Sequence, residues 1–283
     1  MVLGLFTPYF DASPRVTMRG IRLIALVALS GLAGCATLPD GSRWGEHADF
    51  TPGWHRVGDA AVTAVKSPSV WLPLTGAAAM QIDHWDRHLS DWAIEHTPLF
   101  GSPKSAADAS DTLQTVAAAG YVASVLGTPG GNGGSDWFLA KAKGGLVGLS
   151  AIAATELTTQ GLKAAVNRER PNGSSDASFP SGHTSFAAVC DRLTSRDLDA
   201  IPMNDVLRTT LQVGTEGVTI VTAWARVEAG EHYPSDVLFG MALGNFFGIM
   251  FDEAFMGGQQ SPRVALSIAP VRGGGEATWD VRF

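Results

Sequence analysis

Three basic residues, two histidines and one carboxylate stand in an order that suits the handling of a phosphate-like anion. Lys163 and Arg170 lie seven positions apart in Lys163-Ala-Ala-Val-Asn-Arg-Glu-Arg170-Pro171, two helical turns, so they share one face, and Pro171 ends the helix. Next comes Phe179-Pro180-Ser181-Gly182-His183-Thr184-Ser185. Ser181 suits an N-cap and Gly182 permits close backbone approach, so N–H groups near both face outward at a helix start, with the Ser181 hydroxyl as a further donor. The third stretch is Ala225-Arg226-Val-Glu-Ala-Gly-Glu-His232-Tyr-Pro-Ser-Asp236. Pro234 suits a first helical turn, which puts His232 at the helix entrance and Asp236 one turn on. Lys163, Arg170 and Arg226 supply three cations for an anion whose charge is spread over several oxygens, and the arginines can bind it in bidentate fashion. Taken singly, each motif has a commoner structural explanation: a solvated basic face, a helix cap, a structural His–Asp hydrogen bond.

A rival constellation is Asp83, His84, Asp86, His88 and Asp91, in which His84 and His88 have the i, i+4 spacing of helical metal pairs. It lacks a distant third ligand, and the segment reads as an amphipathic surface helix carrying Trp85 and Trp92 inward. His47, His55 and His96 read as surface or loop residues.

The elements that must position these residues are helical. Hydrophobic residues make up 45% of 283, glycines number 33, and the formal net charge is −7. That balance argues against a general nucleic-acid binder and makes any anion site a local basic cluster. Apolar or Ala-rich segments at 71–92, 111–126, 136–168, 181–194, 205–224 and 235–256 predict an all-α bundle. Loops run at 127–135 and 172–179, and no repeat is evident. Partial alternation around Gly273–Gly275 predicts a short β-hairpin within the tail at 257–283. Cys35 and Cys190 are too few for a disulfide framework, and Cys190 reads as a small buried hydrophobe.

Residues 18–34 read as a secretory signal, with Arg19 and Arg22 ahead of a short apolar core. Leu32-Ala33-Gly34-Cys35 resembles the bacterial lipobox, which implies acylation of Cys35 and, with Ala36 following, a place on the periplasmic side of the outer membrane. Residues 1–17 read as lying upstream of the functional start, and 35–70 as a tether and docking segment. Glu156, Gln160, Gln212, Glu216, Asp252 and Glu253 interrupt the apolar segments, which favours a water-soluble bundle held by lipid. The alternative is an integral membrane bundle with those residues turned inward.

In order and spacing the three motifs match K-x6-RP, PSGH and SR-x5-H-x3-D. The chain thus resembles the type-2 phosphatidic acid phosphatase superfamily, which includes bacterial acid phosphatases, lipid phosphatases and vanadium haloperoxidases. One position departs: Ala225 stands where the family usually has Ser. The resemblance implies a helical core over about 71–256 and phosphomonoester hydrolysis through a phosphohistidine, without metal or cofactor. It makes His232 the nucleophile, His183 the general acid and Asp236 the partner of the other His232 ring nitrogen. Lys163, Arg170, Ser181, Gly182 and Arg226 would hold the phosphate. A lipid-linked phosphate is the expected substrate. A broad acid phosphatase, a vanadium haloperoxidase and an inactive envelope lipoprotein are the rival readings.

Overall fold

The computed structural model describes residues 36–256 and the backbone of two strands, 263–271 and 274–282. Cys35, the signal at 18–34 and the stretch 1–17 lie outside the described residues. Among the described residues eight α-helices follow one another: α1 (Gly53–Lys66), α2 (Pro68–Ala79), α3 (Trp85–His96), α4 (Pro103–Gly127), α5 (Gly134–Val166), α6 (Gly182–Ala200), α7 (Asp205–Glu228) and α8 (Pro234–Phe255). Beyond them β1 (Arg263–Val271) and β2 (Gly274–Arg282) pair antiparallel, Arg263 opposite Arg282. The fold class is all-α.

Local chemistry sets the helix ends. Ser102 accepts from the Ser105 N–H at the start of α4, with Pro103 at the first helical position. Asn204 does the same for Leu207 at the start of α7. At the end of α5, Asn167 takes a left-handed conformation, φ 48°, and the chain turns into the loop that carries Arg168 and Arg170.

Helices α1, α2, α5 and α6 pack around α8. The α6–α8 contact is the closest in kind. A Cβ at Gly240 would stand 2.7 Å from the Ser181 carbonyl oxygen, and one at Gly244 2.3 Å from that of Ser185. Further along, Gly248 faces Arg192. The pairing advances in one direction on both helices, so α6 and α8 run parallel and present their N-termini together. Two positive helix ends thus point at one place.

The segment 36–70 docks along its length. Leu38 and Trp44 are buried, Trp44 lies over Gly144 of α5, and the second half of the segment is α1. The helix at 85–96 is turned the other way from its sequence reading. Trp85 is 58% exposed and Trp92 44%, whereas Asp86 is 4% exposed. A half-buried cation, described below, draws the carboxylate inward against the pull of two indoles. Of the polar interruptions, Gln212 reaches Asp199, and Asp252 and Glu253 pair with Arg196, while Gln160 and Glu216 face outward. Large apolar side chains also face outward, Leu157, Val206 and Val213 among them. Among the described residues one helix, α8, is long and apolar enough to cross a membrane.

Candidate active site

The last turn of α5, the loop after it, the last turn of α7 and the joined N-termini of α6 and α8 bring the three motifs into one site. His232 is its centre and is 1% exposed. Its Nδ1 lies 2.5 Å from the Ser178 carbonyl oxygen. A carbonyl only accepts, so Nδ1 carries the hydrogen and Nε2 keeps a free lone pair. Burial drives the His232 pKa well below its ordinary value, and Arg226, Lys163 and Arg170 push it the same way. The ring is therefore neutral, with the Nε2 lone pair free.

Asp236 does not bond the ring directly. Its Oδ2 is 3.9 Å from His232 Nδ1 and instead accepts from the Ser178 hydroxyl at 2.5 Å and the Tyr233 N–H at 2.9 Å. The sequence expectation of a His232–Asp236 hydrogen bond is corrected to a relay through Ser178, whose carbonyl takes the place nearest the ring. Asp236 is fully buried, which raises its pKa, while Arg168, Ser178 and the Tyr233 N–H hold it down.

Three cations surround His232. Lys163 donates to the Ala177 carbonyl, and burial lowers its pKa to about 8, with Arg170 and Arg226 adding to the fall. Arg226 donates to the Ser110 hydroxyl at 3.1 Å, and both Arg226 and Arg170 pair with Glu231. The Nε of Arg170 and the Nε of Arg226 are buried and have no hydrogen-bond partner. Two buried guanidinium donors without acceptors are costly for a protein to keep, and an anion between them would satisfy both.

Ser181 caps α6: its N–H donates to the Asp236 carbonyl at 3.1 Å, and its hydroxyl oxygen accepts from the Thr184 N–H and lies 3.0 Å from the Thr184 hydroxyl. The N–H groups of Gly182 and His183 are the first two of α6 and have no intrahelical acceptor. His183 Nε2 is 2.8 Å from Asp111 Oδ1 on α4. Burial lowers the His183 pKa, and Asp111 partly offsets this.

The site brings together all of Lys163, Arg170, Ser181, Gly182, His183, Arg226, His232 and Asp236. The sequence reading misses Ser178, Ser110 and Asp111, whose partners are distant in sequence, and Glu231, which stands inside the third motif as a spacer. It also misses Arg168, which stands inside the first motif as a spacer. Among the described residues no three His, Cys, Asp or Glu side chains group as a metal site, and Asp86 of the rival cluster is committed to Arg168 and Ser235.

Residues 144–254 match the PAP2 superfamily, a stretch that contains all eight of these side chains. The fold is similar to that of a transmembrane PAP2-type phosphatidylglycerolphosphate phosphatase from Bacillus subtilis. The identity is 22% and the TM-score 0.51, over 66% of this chain and 94% of that one. The matched stretch holds most of α5, all of α6 and α7, and α8 up to its last residue, the helices that bear the motifs.

Proposed function

We propose that this protein is a PAP2-type phosphatase that hydrolyses lipid-linked phosphate monoesters in two steps through a phosphohistidine on His232. The observation that carries the reading is a neutral, buried His232 ringed by Lys163, Arg170 and Arg226, with two arginine Nε donors unpartnered. In the first step Nε2 attacks phosphorus, the bond to the ester oxygen breaks, and His183 gives that oxygen its proton. In the second, water attacks phosphorus, its proton passes to His183, the N–P bond breaks, and inorganic phosphate leaves. Asp236, acting through Ser178, stabilises the imidazolium that exists between the steps. Charge developing on the phosphoryl oxygens meets three cations and two helix N-termini, which perform the electrostatic work that a divalent metal does in many phosphoryl enzymes.

The lipid substrate and the membrane location rest on three supports. Outward apolar side chains such as Leu157 on α5 and Val206 on α7 suit contact with acyl chains. The similar Bacillus subtilis protein acts on a phospholipid phosphate. The lipobox-like stretch before Cys35 would tether the domain at the periplasmic face.

The test is a panel of long-chain phosphatidate and phosphatidylglycerolphosphate in mixed micelles against soluble glycerol phosphate. At least about tenfold higher kcat/KM on the lipids is expected, a margin of roughly 1.4 kcal/mol. Orthovanadate, which mimics the five-coordinate transition state, should inhibit, and EDTA should not. Equal rates on lipid and soluble esters would shift the reading to a broad acid phosphatase. Loss with EDTA, restored by a divalent ion, would sink the metal-free mechanism. Fractionation of cells making Cys35→Ser tests the anchor: release into the soluble fraction is expected, and retention in the membrane pellet would mean that the bundle itself is embedded.

A further inference from the structure

The two-step reaction makes no direct use of Asp86 or Arg168, yet the fold buries Asp86 and half-buries Arg168 beside the nucleophile's support. Arg168 donates through one guanidinium nitrogen to Asp236 Oδ1 at 2.6 Å and Ser235 Oγ at 2.8 Å. Its other terminal nitrogen donates to Asp86 Oδ2 at 2.6 Å. The guanidinium lies 4.0 Å over the Tyr233 ring, next in sequence to His232. Asp86 in turn accepts from the Ser235 N–H at 2.7 Å and the Ser235 hydroxyl at 2.6 Å, so it grips the first turn of α8 directly.

We propose that Asp86 and Arg168 are positioning residues for the phosphohistidine step: they clamp Asp236 and Ser235 and, through Asp236 and Ser178, hold the His232 ring in its reactive tautomer. This rests on the phosphohistidine reading above. The relay is continuous, from Asp86 to Arg168 to Asp236 to the Ser178 hydroxyl, with the Ser178 carbonyl on Nδ1.

The backbone is bent to deliver Asp86. Asp83 and His84 both adopt the left-handed region, φ 50° and 60°, immediately before α3. Non-glycine residues keep that conformation only where surroundings enforce it. Here the enforcing contact is the carboxylate in the Arg168 clamp, with the Asp86 N–H on the Met80 carbonyl at 2.8 Å. Asp86 lies far outside the matched stretch 144–254, so this chain's own N-terminal helices supply it.

The electrostatics give the clamp a direction. The charged and titratable groups facing Asp236 are Arg168 from the loop after α5, Lys163 from α5, His232 from the turn before α8, and Asp86 from α3 across the guanidinium. Arg168 is the cation in contact with it, so removing Arg168 lets the buried carboxyl take a proton at higher pH. The acid limb of kcat then moves up.

The experiment compares wild type, Asp86→Asn, Arg168→Met and Asp236→Asn, and Asp86→Asn combined with Asp236→Asn, in the full chain with p-nitrophenyl phosphate. Asp86→Asn should lower kcat about 10–100-fold, the usual loss when an orienting partner is removed. KM and the orthovanadate inhibition constant should hold nearly constant, since the cradle is intact. Arg168→Met should move the acid limb of kcat to higher pH. In the Asp236→Asn background, Asp86→Asn should cost nothing more. Independent, multiplying losses would overturn the proposal, as would an unchanged kcat and acid limb per folded molecule. Should Asp86→Asn fail to fold, Arg168→Lys, which keeps the charge but cannot bridge both carboxylates and Ser235, takes its place with the same readouts. His232→Ala separates the two readings: activity that survives it sinks the phosphohistidine itself, whatever Asp86 does.

Discussion

Helices α6 and α8 each join two buried charge clusters about 20 Å apart, and the two ends treat charge in opposite ways. At the C-terminal end Arg196 pairs with Asp252 at 3.4 Å and Glu253 at 2.8 Å, and Asp197 accepts from Ser124 at 2.6 Å. Nearby Lys141 donates to Val125 and Thr128 and sits by the rings of Trp44 and Trp137. At the N-terminal end Lys163, Arg170 and Arg226 crowd one neutral histidine, and two arginine Nε atoms have no partner. One end closes its ion pairs and ties elements together. The other keeps an excess of positive charge and of donors, at a cost in stability, because an anion completes it. Buried charge alone does not mark a site; buried charge left incomplete does.

The sharpest way to break this contrast is at the incomplete end. His232→Ala should lower kcat by roughly 10⁴-fold or more, the scale of losing a nucleophile that acts within a unit, while the melting temperature holds or rises, because a buried group ringed by cations has been removed. Steady-state kinetics with calorimetry on one preparation checks both halves. A variant that loses stability instead would make this end structural.

Next in size is His183→Ala. With an alkyl phosphate the loss should be about 10²–10⁴-fold, the range for a general acid, and with p-nitrophenyl phosphate far smaller. The two histidines also set the pH dependence. Both pKa values are pushed below the ordinary 6.5, that of His232 much further. The competent form has neutral His232 with protonated His183, so kcat/KM on an alkyl ester should peak below pH 6.5 and fall as pH rises through the His183 pKa. With the better leaving group, activity should persist to about 8, where Lys163 loses its proton. Coincident alkaline limbs for the two esters would remove His183 from the acid role.

The smallest catalytic effect belongs to the closed end. Arg196→Met takes the paired cation from the buried Asp252 carboxylate and one partner from Glu253, and should destabilise the fold by about 3 kcal/mol, a fall in Tm of roughly 6–12 °C. The kcat of the folded protein should stay within about twofold, the usual reach of a substitution off the reaction path. Urea unfolding and kinetics on the same variant check this, and a large loss in kcat would mean that the two ends are coupled along α6 and α8.

The motif residues were legible because their chemistry is local. Lys163 and Arg170 stand close in one motif, although the helix ends at Val166 and Arg170 lies in the loop beyond it rather than on a shared face; Ser181 opens α6 by its capping chemistry, and His232 precedes a proline-started helix. The helical class was equally legible from apolar periodicity. Asp86 was visible in sequence but assigned outward, because Trp85 and Trp92 flank it and large indoles ordinarily turn inward. What overrides them is Arg168, 82 positions away in the chain, and a lone helix pattern carries no information about a partner at that distance.

From the sequence alone follow the all-α class, the membership of Lys163, Arg170, Gly182, His183, Arg226, His232 and Asp236 in one site, and the cationic character of that site. Tertiary structure alone decided how the His232 tautomer is held, which donors remain free, and that Asp86 and Arg168 stand behind Asp236. The reason is physical. A helix face, a cap or a proline is set by residues within one or two turns. A hydrogen bond from Nδ1 to the Ser178 carbonyl, or an arginine Nε left unpartnered, depends on how segments distant in the chain pack, which only the assembled bundle determines.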